Sequence, residues 1–129
     1  SSKSEDIDSI FSFIPNALRC AQIYRYMGNN QKAKEYYEQA IDILKSKIAE
    51  DPNDARFPSS LGIAYAGLGR KEDAIREGKR GFELLPVTKD AWEGLYRVRA
   101  LAEIYVMVGE YDAAMEKIKY LRGREFLSE

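Results

Sequence analysis

Leu61-Gly62-Ile63-Ala64-Tyr65-Ala66-Gly67-Leu68-Gly69-Arg70-Lys71-Glu72-Asp73-Ala74 decides the fold of this chain. Leu61, Ala64, Tyr65 and Leu68 recur at three and four positions, the stripe of an amphipathic helix. Gly69 interrupts the stripe. Ala74, Ile75, Phe82 and Leu85 then resume the period until Pro86 stops it. The stretch predicts helix, short turn at Gly69, helix. Asp54 is the expected N-cap, and Pro58 falls in or just beyond the first turn, where proline is tolerated or only mildly kinking.

The same signature lies on both sides. Tyr65, Gly69 and Ala74 are preceded by Tyr24, Gly28 and Ala33 and followed by Tyr105, Gly109 and Ala114. All three sets read Tyr-x3-Gly-x4-Ala. The step from Tyr24 to Tyr65 is 41 positions and the step to Tyr105 is 40. In the first unit Cys20, Ala21, Tyr24 and Met27 make one stripe and Ala33, Tyr37, Ala40 and Leu44 the next. In the third, Leu101, Ala102, Tyr105 and Val108 precede the turn, and Ala114, Ile118 and Leu121 follow it. Ala21, Gly62 and Ala102, with the three signature alanines opposite, let paired helices approach closely. Self-similarity at a fixed period predicts a stack of like units.

These residues resemble the tetratricopeptide repeat family, whose period is about 34 residues. The middle unit matches best, through Leu61-Gly62-x2-Tyr65, Gly69, Ala74 and Pro86. The resemblance implies an all-α, right-handed α-solenoid of three tandem helix-turn-helix repeats, with six to seven helices, two of them elongated. The expected units are 14–52, 54–87 and 89–127 of a single domain spanning 1–129. Leu61 to Pro86 also resembles repeat segments of large bacterial signalling or regulatory proteins. With a start that lacks methionine, that makes the chain an expected piece of a longer protein.

The excess over the family period can be placed. The first unit's second helix is expected to run seven residues longer, to Pro52, with Ile41, Leu44 and Ile48 continuing its stripe. Thr88 is an expected cap, and Ala91, Trp92, Leu95 and Val98 lengthen the first helix of the third unit. The two long helices are expected to pack on each other with Trp92 in that contact, a core role preferred over a ligand-binding aromatic. Gly78 and Gly81 inside a helix are read as a close helix crossing, the alternative being a small pocket left by a missing side chain.

In the family, the first helix of each unit lines a concave groove that binds peptides. Carried over on the Tyr-Gly-Ala sets, the groove positions are Leu18, Gln22 and Arg25, then Arg56, Ser59, Ile63 and Ala66, then Tyr96, Arg99, Glu103 and Val106. Arg25, Arg56 and Arg99 are candidates for forked hydrogen bonds to carboxylates, the alternative being ordinary solvated charges. The lysine, asparagine and arginine clamp by which some members grip chaperone tails is not reproduced: Leu18, Gln22, Ser60, Tyr96 and Ala100 stand there.

Composition narrows the alternatives. Hydrophobic residues at 45% and charged ones at 32% suit a core-forming helical protein. The net charge of −1 gives no global field for nucleic acid or an anionic membrane. No apolar run nears the roughly 20 residues of a membrane span. The chain has no histidine, which removes the commonest general base and metal ligand. Its single cysteine, Cys20, excludes an internal disulfide and fits a reducing, cytoplasmic compartment. Asp51, Asp54 and Asp73 fall at expected helix starts. Gly67-x-Gly69-Arg70 lacks the Lys-Ser/Thr context of a phosphate loop. No catalytic residue, metal or cofactor is expected. The expectation is a scaffold that binds a peptide or protein of unknown identity. The alternatives are self-association through the apolar C-terminal helix (Met115, Ile118, Tyr120, Leu121, Phe126) and a non-catalytic segment of a larger enzyme.

Overall fold

The computed structural model describes residues 6–85 and 91–127, with the side chains of Ala91 and of 124–127 left aside. Pro86, Thr88 and the Phe126 side chain therefore lie outside the described residues. Two short antiparallel strands, β1 (Ile7–Asp8) and β2 (Phe13–Ile14), precede six α-helices. These are α1 (Asn16–Tyr26), α2 (Asn30–Glu50), α3 (Arg56–Gly67), α4 (Lys71–Leu84), α5 (Ala91–Met107) and α6 (Tyr111–Leu127). They pair as α1 with α2, α3 with α4 and α5 with α6, and α3 also packs on α1 and α5. The first helices of the three pairs thus form one layer of an all-α helical repeat.

The Tyr-Gly-Ala spacing has a backbone cause. Gly28, Gly69 and Gly109 adopt φ of 79°, 76° and 82°, the left-handed region open to glycine. That reversal aims the next amide back at the tyrosine carbonyl: Asn29 donates to Tyr24, Arg70 to Tyr65 and Glu110 to Tyr105, at 2.8–2.9 Å. The carbonyls of Asn29, Arg70 and Glu110 then accept from Ala33, Ala74 and Ala114, the first closed turn of each second helix. Each signature alanine is buried against the helix before it.

The core runs through the units without a break. Leu18 and Ala21 of α1, Tyr37 and Leu44 of α2, Leu61 and Ala64 of α3, Ala74 of α4 and Ile104 of α5 belong to one cluster. Leu101, Tyr105 and Ala114 extend it under the last pair, bridged by Ile75. At Gly78 a Cβ would lie 2.7 Å from Ile104 Cδ1 and 3.0 Å from Leu101 Cδ1, so the close crossing is real and no pocket is left. Gly67 likewise faces the Tyr37 ring.

Three expectations need correction. α2 has 21 residues against 14 in α4, the seven-residue extension that the spacing predicts. However, α2 packs on α1 and α3, whereas α5 packs on α3, α4 and α6. The central pair stands between the long helices, and Trp92 is 71% exposed instead of filling a contact between them. Asp51 caps the C-terminus of α2 and starts no helix. Asp54 caps α3 one residue earlier than a regular N-cap: Ala55 holds that position, and Asp54 Oδ1 accepts from the Arg56 amide at 3.0 Å.

A Cβ at Gly69 meets nothing within 4 Å, so its cost is conformational alone. Gly69→Ala is expected to destabilise by about 1–2 kcal/mol. Gly123→Ala, equally uncrowded but inside α6 and without positive φ, is expected to stabilise by up to about 1 kcal/mol. Urea unfolding of the two variants checks this, and a common sign would contradict it.

Candidate groove on the first-helix layer

Helices α1, α3 and α5 enclose a groove of about 510 Å³. Seven of the eleven expected groove positions line it: Leu18 and Gln22 from α1, Ser59 and Ile63 from α3, and Tyr96, Arg99 and Glu103 from α5. Arg25 lines an adjoining hollow of about 500 Å³ with Gln22, Glu103 and Val106. The residues converge because spacings of three and four keep each set on one helical face, and the helix pairs repeat that face side by side. Ala66 is buried in the core cluster and lines neither hollow. A further depression of about 720 Å³, between α2 and the α3–α4 turn, has mixed charge and shares Arg25 with the adjoining hollow.

The groove floor is apolar and its rim charged. Leu18 is buried, Ile63 half-buried, and Ser59 buried with its hydroxyl lacking a partner among the described residues. Across the rim stand Arg19 and Arg25 on α1 and Arg99 on α5, all exposed. Glu103 lies between them. Burial raises its pKa, and the nearby Arg25 and Arg99 only partly offset that rise. The Tyr37 hydroxyl, inserted between α1 and α3, donates to Gln22 Oε1. That bond fixes the Gln22 amide at the groove wall. Ile23 and the 96% exposed Tyr26 continue the α1 edge of the two hollows with apolar surface.

Arg56 also lines neither hollow. Its Nε and Nη2 fork onto the Asp54 carboxylate at 2.8–3.2 Å, and Nη1 donates to Asp8 Oδ1 and the Ser9 carbonyl, each at 2.7 Å. All three guanidinium nitrogens thus donate within the chain itself. Burial pushes the Asp54 carboxyl up, but the hydrogen bonds from Arg56 outweigh it and hold Asp54 below the usual carboxylate range.

Sequence reasoning missed Arg97. Its carry-over position is matched by Phe57, a core residue, which gave no reason to assign it a polar role. Arg97 is 3% exposed and donates to the Ala55 carbonyl at 3.2 Å and to the Phe11 carbonyl. Burial lowers its pKa to about 10, with Asp54 acting against the shift. Its signal in the sequence was faint: a cation placed where the middle unit carries Phe57 and the first carries Asn16.

Among the described residues, no group of three His, Cys, Asp or Glu side chains is placed to hold a metal, and no helix is long and apolar enough to cross a membrane. The fold and the groove define a helical-repeat module of the kind that presents a surface to other proteins. A family model described as tetratricopeptide repeat matches residues 13–86, more than half the chain, and the chain belongs to that family. The match spans the first two units; the third repeats their turn geometry around Gly109. Tetratricopeptide repeats generally mediate protein–protein interaction and are generally non-catalytic.

The Asp54–Arg56 pair gives a pH dependence of known sign. A folded-state pKa below the unfolded value means the unfolded state binds more protons at low pH, so stability is lost as pH falls. The stability difference between wild type and Asp54→Asn is expected to be about 1–2 kcal/mol above pH ~4 and to shrink below it. Urea titrations from pH 7 to pH 3 check this, and a difference independent of pH would contradict it.

Proposed function

We propose that this chain is a protein-interaction scaffold that binds an extended peptide or partner segment along the first-helix layer, and is not an enzyme. The proposed site comprises Leu18, Gln22, Arg25, Arg56, Ser59, Ile63, Tyr96, Arg99 and Glu103, on units 14–52, 54–87 and 89–127 of one array. The observation that carries the reading is the convergence of an apolar floor with Arg19 and Arg99 at the edge of one groove of about 510 Å³, and Arg25 in the hollow that adjoins it. Apolar concavity with a few placed polar groups is how proteins hold ligands. The arginines at the rim supply forked donors for carboxylates or backbone carbonyls. A cytoplasmic setting and origin in a larger signalling or regulatory protein fit this reading and belong to the same proposal.

A random-peptide display selection against the immobilised chain, followed by affinity measurement, tests it. Selected peptides are expected to lose at least about tenfold in affinity on Arg99→Glu or Ile63→Asp, substitutions at the rim and the floor. Unchanged affinity for both variants would place binding elsewhere.

A second reading has its own observation. Tyr111, Met115 and Ile118 lie exposed at four- and three-residue spacing on α6, with Tyr120 beside them. Such an apolar face on a terminal helix is a candidate self-association surface. Under that reading the weight-average mass from light scattering rises with concentration, and Ile118→Lys abolishes the rise. A mass fixed at the monomer value would contradict it.

A further inference from the structure

The groove already holds something at one end. Residues 7–14 form a hairpin whose strands are two residues each, too short to stand alone. It is held by side chains of the first-helix layer. The Phe11 ring stacks on Tyr96 with centroids 4.5 Å apart and planes 14° apart. The Phe11 carbonyl accepts from Arg97, and Arg56 bonds both Asp8 and the Ser9 carbonyl. Ser60 Oγ donates to the Phe13 carbonyl at 2.6 Å. Ser12 and Ile14 then form part of the wall of the open groove. Tyr96 and Arg56, two of the expected partner-binding residues, are thus engaged by an extended segment of the chain itself.

The segment's chemistry is specific: a carboxylate on one guanidinium nitrogen of Arg56, an aromatic ring on a tyrosine face three residues later, and main-chain carbonyls on arginine donors. The open groove continues that chemistry. Its rim carries Arg25 and Arg99, with Glu103 between them as the carboxylate among the described lining residues. Resting on the groove reading above, we propose that the partner is an acidic, extended segment bearing an aromatic side chain, and that the hairpin is its tethered competitor. Phe13 anchors the tether: it is buried edge-on against Phe57 and beneath Lys47. Asp6 holds the start of the segment, its Oδ1 accepting from the Asn16 amide at 2.7 Å, and the stretch between Asp6 and Phe13 is the part that can leave. Ile7, Asp8, Ser9 and Ile10 are exposed, and the turn satisfies itself through Ser9 Oγ, which accepts from the Phe11 and Ser12 amides.

A labelled synthetic peptide of residues 5–12, Glu-Asp-Ile-Asp-Ser-Ile-Phe-Ser, is the probe, and fluorescence anisotropy the readout. The full chain carrying Asp8→Asn and Phe11→Ala is expected to bind it at least about tenfold more tightly than wild type, since a hairpin closed ten to one lowers apparent affinity by that factor. Asp8→Asn alone, at a side chain 64% exposed, is expected to gain about threefold and guards against misfolding of the double variant. Peptides with both aspartates changed to asparagine, or with the phenylalanine changed to alanine, are expected to bind at least tenfold more weakly. Equal affinity of wild type and both variants, or no binding by any, would overturn the proposal, as would indifference to the peptide's charge and ring. A neutral, non-aromatic peptide selected by display that binds through Arg99 and Ile63 would leave the groove reading intact and overturn this one.

Discussion

Everything in this structure depends on a left-handed glycine that returns the chain on itself within two residues. At Gly28, Gly69 and Gly109 the reversal lets one amide reach the carbonyl of the signature tyrosine, and the carbonyl after it receive the amide of the signature alanine. The two helices of a unit are thereby locked at the close spacing that only alanine or glycine allows at their crossing. Repeating one turn three times repeats one crossing three times. The first helices must then fall into a single layer, with α3 touching both α1 and α5. The groove is a consequence of that layer.

The departures from strict repetition have a common destination. The added turns of α2 bring Lys47 over the Phe13 ring and Ile48 onto the core cluster. Helix α5 begins at Ala91, five residues ahead of Tyr96, whose ring stacks on Phe11. The long helices do not pack against each other as a pair; each meets the N-terminal hairpin from its own side. In this way the hairpin is fastened at Phe13 by the α2 extension and at Phe11 by α5.

The turns and helix pairs were legible in the sequence because their causes are local: a left-handed glycine, a three-and-four stripe and a small residue at a crossing are all visible within a dozen positions. The groove face was legible for the same reason, since Leu18, Gln22, Ile63, Arg99 and Glu103 inherit their direction from the helix period. What escaped was long-range. Nothing near Arg56 announces that Asp8, 48 positions earlier, will occupy its guanidinium. Nothing near Arg97 announces the Phe11 carbonyl, 86 positions away. Trp92 was misread because a large aromatic on a helix is usually buried, whereas the partner helix assumed for it lies beyond the central pair.

The most direct test of the central claim is a titration of amide chemical shifts in the ¹⁵N-labelled full chain carrying Asp8→Asn, using the residue 5–12 peptide. If the first-helix layer is one binding surface, the amides of Gln22, Ile63, Arg99 and Glu103 shift together with a single affinity. Shifts confined to Met115 and Ile118 on α6, or absent from α1 while present on α5, would contradict it.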